Sequence, residues 1–269
     1  MDRANAALTV ISPCRYGRMM YLVNDRYVGH ALAKHGEFSE SEVALWRSFL
    51  EPHWIAVDVG ANIGAHTVAL ARMVERVVAF EPLTYLYHLL CGSVALNGLT
   101  NVQAFNMGVG KAPGHMQVPY IDYTLPAAYG GWAPGFSGGK RTLVVPLDDV
   151  LPCADFLKID VEGMELEVLE GAQRLLVESK PVIYVEANPG PKQKSIIEFL
   201  RMHDYRLWWH HAAHYNPQNF RGNQTNDLPD TPAPALLAMA SDEDARELEE
   251  DALIAIGSPI IKHGLKRVE

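Results

Sequence analysis

Three short stretches of this chain carry residue types whose spacing could do chemistry together. The first is Asp58-Val-Gly-Ala-Asn-Ile-Gly64, where the apolar run Ile55 to Val59 gives way to a helix-forming segment. At such a strand-to-helix turn Gly60 lets the backbone approach a ligand closely, and Gly64 allows tight helix-to-strand contact. The helix N-terminus beyond it favours an anion such as an amino-acid carboxylate. Asp58 either binds a ligand ammonium group or caps the turn. The second stretch is Glu81-Pro82, about 20 residues after Gly60, where an acidic side chain can accept hydrogen bonds from both hydroxyls of a ribose. Together these point to an adenosine-containing cofactor. A nicotinamide dinucleotide, and with it an oxidoreductase, satisfies the same two features. Against it, Asn62 stands where the G-x-G-x-x-G fingerprint has its second glycine, and a side chain there crowds a pyrophosphate. A methionine moiety needs less room.

The third stretch is Lys158-Ile-Asp-Val-Glu-Gly163. Strand alternation puts Lys158 and Asp160 on one side, so they either pair with each other or serve a reacting sulfonium. Charge at the rim of an apolar strand is costly without such a role. Methyl transfer from a sulfonium is an in-line displacement, and the protein must hold the acceptor oxygen collinear and take its proton. Lys158, Asp160, Glu162 and Glu186 are the catalytic candidates at this rim, with His210 and His211, and His214 beyond them, as competing bases. Asp160, Glu162 and Glu186 could instead hold Mg²⁺, but the usual metal-dependent carboxylate pairs are not recognisable and no metal is expected. Glu37 either reaches the cofactor or caps the helix at Ser41. Asn106, Met107 and Gly108 either border an adenine or make an ordinary turn.

The elements that must position these residues follow from periodicity. Strands are predicted at Ile55 to Val59, Val77 to Phe80, Val102 to Met107, Phe156 to Ile159 and Val182 to Val185. Helices are predicted at Thr67 to Val74, Tyr85 to Asn97, Glu165 to Glu178 and Gln193 to His203. Alternation of this kind gives a doubly wound α/β fold, a mostly parallel sheet with its ligand at the strand C-terminal ends. Upstream, Arg18 to Val23 pairs with Arg26 to Val28 through an Asn24-Asp25 turn, and Ser39 or Ser41 caps a helix that Pro52 stops. Residues 1–52 thus form an N-terminal hairpin and helix cap on a domain of residues 53–240. Within that domain Lys111 to Arg141 reads as a long inserted loop whose Tyr120, Tyr123, Tyr129, Trp132 and Phe136 either stack on a sugar or close the core. Tyr205 to Trp209 and an edge or antiparallel strand at Leu236 to Ala240 end the domain. Residues 241–269 are a tail that begins as an acidic helix.

The combination resembles the FkbM-type family of S-adenosylmethionine-dependent methyltransferases. The resemblance is carried by GEFSESE at Gly36 to Glu42, VDVGANIG, AFEP at Ala79 to Pro82, Asn97-Gly98-Leu99 and PLDDV at Pro146 to Val150. KIDVEGMELEVLEGA at Lys158 to Ala172 and the P-V-I-Y-V-E strand complete it. It implies a class I methyltransferase fold, S-adenosylmethionine as cofactor and O-methylation of a sugar, glycan or polyketide-type hydroxyl. His66, counted among the cofactor-binding residues, stands where the family usually has an aromatic residue. A catalytically silent cofactor-binding partner module is the remaining alternative.

Composition narrows the partners. The 269 residues carry a net charge of −9 with no long basic run, which disfavours a nucleic-acid partner. Three scattered cysteines give no disulfide framework and fit a reducing cytoplasm. No apolar run is long enough for a bilayer, and Met1 to Val10 lacks a signal-peptide pattern. Homo-oligomerisation stays open.

Overall fold

A computed structural model describes residues 8–131, 138–240 and 265–268. The chain opens with an antiparallel hairpin of β1 (Thr9–Cys14) and β2 (Gly17–Leu22), registered from Thr9 opposite Leu22 to Cys14 opposite Gly17. The strand expected at Arg18 therefore pairs upstream and not with Arg26 to Val28. The reason lies in Asp25, whose two carboxylate oxygens accept the amides of Tyr27 and Gly29 and so start a helix, α1 (Val28–Lys34), where a return strand was expected. Next comes α2 (Glu40–Arg47), which neither serine caps through its side chain. Ser39 sits in a left-handed conformation, and the Ser41 hydroxyl donates to the Ala213 carbonyl.

The alternating region holds β3 (Ile55–Val59), α3 (Ala65–Leu70), β4 (Arg76–Phe80), α4 (Thr84–Leu96) and β5 (Val102–Phe105). Where a long loop was expected, β6 (Gly108–Val109), β7 (Gly114–Val118) and β8 (Lys140–Val145) make a small sheet of order β6-β8-β7. After α5 (Leu147–Val150) come β9 (Phe156–Ile159), α6 (Glu165–Glu170), α7 (Gln173–Glu178), β10 (Val182–Glu186) and α8 (Pro191–Met202). The single helix expected over Glu165 to Glu178 is broken at Gly171, where a Cβ would overlap the Gly110 carbonyl oxygen. The chain then forms β11 (Tyr205–Ala212), β12 (Ala233–Ala240) and β13 (Leu265–Arg267). The acidic helix expected from Ser241 lies outside the described residues. Among those residues no helix is long and apolar enough to cross a membrane.

The main sheet runs β13-β11-β12-β10-β9-β3-β4-β5. Its five strands from β10 to β5 are parallel, and β12 enters antiparallel between β10 and β11, so it is not an edge. From β3 the chain winds outward to β5, then returns to β9 on the other side. The strand order thus reverses between β3 and β9, which is where open sheets of this kind take ligands.

Strand alternation assigns the faces. Val57, Val59, Leu157, Ile159 and Val185 pack with α6, α7 and α8 on one side. Ala56, Phe156 and Tyr184 pack on the other beneath Trp46 of α2 and Leu70 of α3. Trp46 is fully buried, edge-on to Tyr184, so α2 shares this core. Burying one such side chain stabilises the fold by roughly 1.5–3 kcal/mol. Asp58 and Lys158 face this second side, directly below the cap.

Gly60 shows how tightly the switch point is built. It has φ +82°, and a Cβ there would overlap the backbone carbonyl oxygen of Asp160. The glycine is demanded by the neighbouring strand end, a constraint independent of any ligand. Gly60→Ala combines left-handed strain with overlap against an atom that cannot swing aside, so it should cost roughly 2–4 kcal/mol of stability in urea denaturation. A loss below about 0.5 kcal/mol, the range of neutral surface changes, would show that the turn rearranges freely.

Candidate active site

A cavity of about 380 Å³ lies over the strand C-terminal ends at the switch point. Its floor is Val59 to Asn62 after β3, Phe80 to Leu83 after β4 and Met107 to Val109 around β6. One wall carries Lys158, Asp160, Glu162 and Glu186; the roof is Tyr27, Phe38 and Gly130. A smaller chamber of about 70 Å³ adjoins the acidic wall and adds Glu42, Tyr184 and His214.

Of the residues singled out from sequence, Gly60, Asn62, His66, Glu81, Pro82, Met107, Gly108, Lys158, Asp160, Glu162 and Glu186 meet at this cavity. Six do not. Asp58 is fully buried behind the wall, 3.0 Å from Lys158 Nζ in an ion contact whose angle falls outside hydrogen-bond geometry, and its other oxygen accepts from Thr67 Oγ1 at 2.6 Å. The ammonium it holds is therefore the protein's own. Gly64 packs against the Leu90 side chain of α4, a helix-to-helix contact and not the helix-to-strand one expected. Asn106 braces the floor, donating to the carbonyls of Glu81 and Pro82 at 2.9 and 3.1 Å. Glu37 is taken up by Arg15, Asn216 and the Phe220 amide, and so ties the cap to the segment after β11. His210 and His211 alternate along β11. His210 is buried against Tyr184, its Nδ1 2.7 Å from the hydroxyl, and His211 points to solvent.

The aromatic loop divides as well. Tyr123 and Tyr129 pack into the cluster around β2, α1 and α4, Tyr120 is exposed, and Trp132 and Phe136 lie outside the described residues. Sequence reasoning missed Tyr27, Phe38, Glu42 and Tyr184 as site residues. Phe38 and Glu42 had a signal in GEFSESE and Tyr184 in the P-V-I-Y-V-E strand, whereas Tyr27 lies in none of the motifs.

The floor and wall differ electrically. Glu81 is buried and both its oxygens accept backbone amides, Oε1 from Leu83 at 2.7 Å and Oε2 from Asn62 at 2.9 Å. Burial pushes its carboxyl up to about 7 against those hydrogen bonds. Burial likewise raises Glu162 to about 7 and Glu186 to about 9, with Asp160 adding to both. Burial pulls the Lys158 ammonium down, but Asp58 and Asp160 outweigh it and hold it above its ordinary range. Its charge is committed to Asp58, with Asp160 farther off at 3.7 Å and the Gly60 carbonyl at 3.0 Å. The wall is left with more carboxylates than cations. Among the described residues no group of three or more His, Cys, Asp and Glu is arranged to hold a metal ion.

Comparison with known proteins bears on this geometry. Methyltransferase sdnD of Sordaria araneosa is 30% identical in a region covering 43% of this chain and 59% of that protein. The methyltransferase FkbM of Methylobacillus flagellatus KT is 20% identical, over 69% of this chain and 43% of that one, with a TM-score of 0.48. The chain thus spans less than two thirds of either relative. Trm5b of Pyrococcus abyssi, 13% identical, superposes with a TM-score of 0.51 over 86% of this chain and 56% of that one, and shares its fold. The fold is that of class I methyltransferases. A family model described as Methyltransferase FkbM domain matches residues 58–207. That match runs from the end of β3 to the start of β11, more than half of the chain, and takes in the turns that floor the cavity, so the chain belongs to the FkbM methyltransferase family.

Proposed function

We propose that the protein binds S-adenosylmethionine in the 380 Å³ cavity and transfers its methyl group to a hydroxyl of a sugar, glycan or polyketide-type small molecule. The observation that carries this reading is the charge imbalance of the wall. Asp160, Glu162 and Glu186 face the cavity while the lysine among them is committed to Asp58. A ligand bringing a sulfonium and an ammonium relieves that imbalance. A dinucleotide bringing a pyrophosphate worsens it.

The residues divide the work accordingly. Glu81 takes the ribose hydroxyls, with its carboxylate already oriented by the Leu83 and Asn62 amides. Met107 and Gly108 border the adenine. Asp160 and Glu162 face the methionine end, where the left-handed Glu162 is held at the turn before α6. Bound S-adenosylmethionine supplies an activated methyl carbon; the protein's part is to align the acceptor oxygen, exclude water and accept one proton. Membership of the family and the class I fold support the same reading.

Ligand-dependent melting separates the classes. S-adenosylhomocysteine at a hundredfold excess over its Kd should raise Tm by roughly 5–10 °C. NAD should leave it unchanged. The reverse pattern would turn the reading into a dinucleotide enzyme. Methyl release with a panel of glycosides and aliphatic alcohols then tests whether the protein is catalytic.

Two further outcomes concern Glu81. Removing its charge-assisted contacts by Glu81→Ala should weaken S-adenosylhomocysteine binding by roughly 10–100-fold in calorimetry, because such hydrogen bonds are worth about 1.5–3 kcal/mol. Ribose hydroxyls donate to the charged carboxylate, so binding lowers its pKa from about 7. Affinity should therefore be full above that value and fall, by up to about tenfold per unit, as pH drops below it. A flat profile between mildly acid and mildly basic pH would remove Glu81 from the ribose site.

A further inference from the structure

The small chamber adjoins the acidic wall of the main cavity. It shares His66, Asp160, Glu162 and Glu186 with the main cavity, and its far side is Glu42 of α2 with Tyr184 of β10 and His214. Glu42 touches this chamber and not the main cavity, and its side chain is only 12% exposed. His66, at the boundary between the two spaces, is 6% exposed at its side chain. Its Nε2 lies 3.3 Å from Glu42 Oε2, out of line for a hydrogen bond, and has no hydrogen-bond partner among the described residues. A buried polar nitrogen left open at a cavity boundary is a place where a ligand polar atom belongs.

We propose that Glu42 is the base that takes the acceptor's proton, with His66 holding the acceptor oxygen at the mouth of this chamber. The proposal rests on the methyl-transfer reading above. In the step, a lone pair of the acceptor oxygen attacks the methyl carbon while the carbon–sulphur pair returns to sulphur, giving S-adenosylhomocysteine. The proton on that oxygen passes to the Glu42 carboxylate, which releases it to water once product leaves. His66 is a positioning residue. Burial, then Lys158, lower its pKa to about 3, so it is neutral and its Nε2–H donates to the acceptor oxygen.

Glu42 suits this work better than its neighbours. Asp160, Glu162 and Glu186 face the cavity in which the sulfonium would lie, where an anion stabilises the reactant cation. The groups facing Glu42 are Ser39 at the start of its own helix, Tyr27 before α1, His66 of α3, Lys158 of β9, Asp160 just after β9 and Tyr184 of β10. Burial, then Asp160, raise its carboxyl to about 8. A base of that strength matches a neutral working pH, and a cation arriving next door favours its charged form. Tyr184, whose hydroxyl lies 2.7 Å from His210 Nδ1, acts on the same carboxylate from β10 and lowers it.

The test compares wild type with Glu42→Gln and His66→Phe. Glu42→Gln should bind S-adenosylhomocysteine within about threefold of wild type yet lose roughly 100-fold or more in kcat toward the panel acceptor that wild type methylates. His66→Phe should raise the acceptor KM more than it lowers kcat. A Glu42→Gln kcat within about tenfold of wild type overturns the proposal. A second readout needs no acceptor. Infrared titration of the S-adenosylhomocysteine complex should show a protonated carboxyl band that fades as pH rises through about 8 and is missing from Glu42→Gln; absence of that band in wild type overturns the assignment. Wild type that fails to bind S-adenosylhomocysteine overturns the methyl-transfer reading itself.

Discussion

Lys158 reaches from β9 to Asp58 on β3, across the seam where strand order reverses, and both side chains are withdrawn from water. Taking two charges out of solvent is expensive, and removing one partner of such a pair costs about 3–5 kcal/mol because the other is stranded. The pair persists because each member has further partners. Thr67 of α3 donates to Asp58, and Lys158 donates to the Gly60 carbonyl. One ion contact therefore fixes strand to strand, helix to strand and the glycine turn to both. It also decides the charge of the cavity, since the cation nearest the wall is already committed.

The floor is organised by the opposite device. Glu81 has no ion-pair partner among the described residues; it is held by two backbone amides, and Asn106 secures the carbonyls of Glu81 and Pro82 from behind. A carboxylate held by amides keeps lone pairs free for a ligand, whereas one held by an ammonium is spent. On the proposed function, that difference separates Asp58, which builds the site, from Glu81, which binds in it. Both are acidic residues at strand C-terminal ends, Asp58 within β3 and Glu81 just past β4. The partner each one has decides what it can do.

That distinction also marks how far the sequence could be read. The five parallel strands were legible as apolar runs because both faces are covered, and Gly60, Glu81, Lys158 and Asp160 were legible because strand-end chemistry is contiguous in the chain. β1 was not read: TVISPC carries a serine and a proline that spoil alternation. β7 and β8 were hidden in a segment rich in glycine and proline. β12 was found and is antiparallel, one of the two alternatives, but nothing local tells a strand that it will slip between two others and so not be an edge. Glu37 looked like a ligand contact, yet its partner Asn216 lies 179 residues away. No pattern within a helix or a turn could announce that pairing.

The same reasoning explains why cofactor and acceptor are unequally visible. The floor of the cavity is built by the ends of consecutive strands, so its chemistry is written in short motifs. The roof and the side chamber come from the cap and from β10, brought together by packing of Trp46 on Tyr184 and of Tyr27 on Phe38 and His214. Tyr27 also donates or accepts at His214 Nδ1 over 2.8 Å, closing the chamber from above. On the proposed function, a lid made this way excludes water from the reacting oxygen, which strengthens each electrostatic contact beneath it. On that reading selectivity is a property of the fold as a whole: to change which hydroxyl enters, the chain must alter how α1 and α2 sit on β10, while the turn at Gly60 and the carboxylate of Glu81 stay as they are.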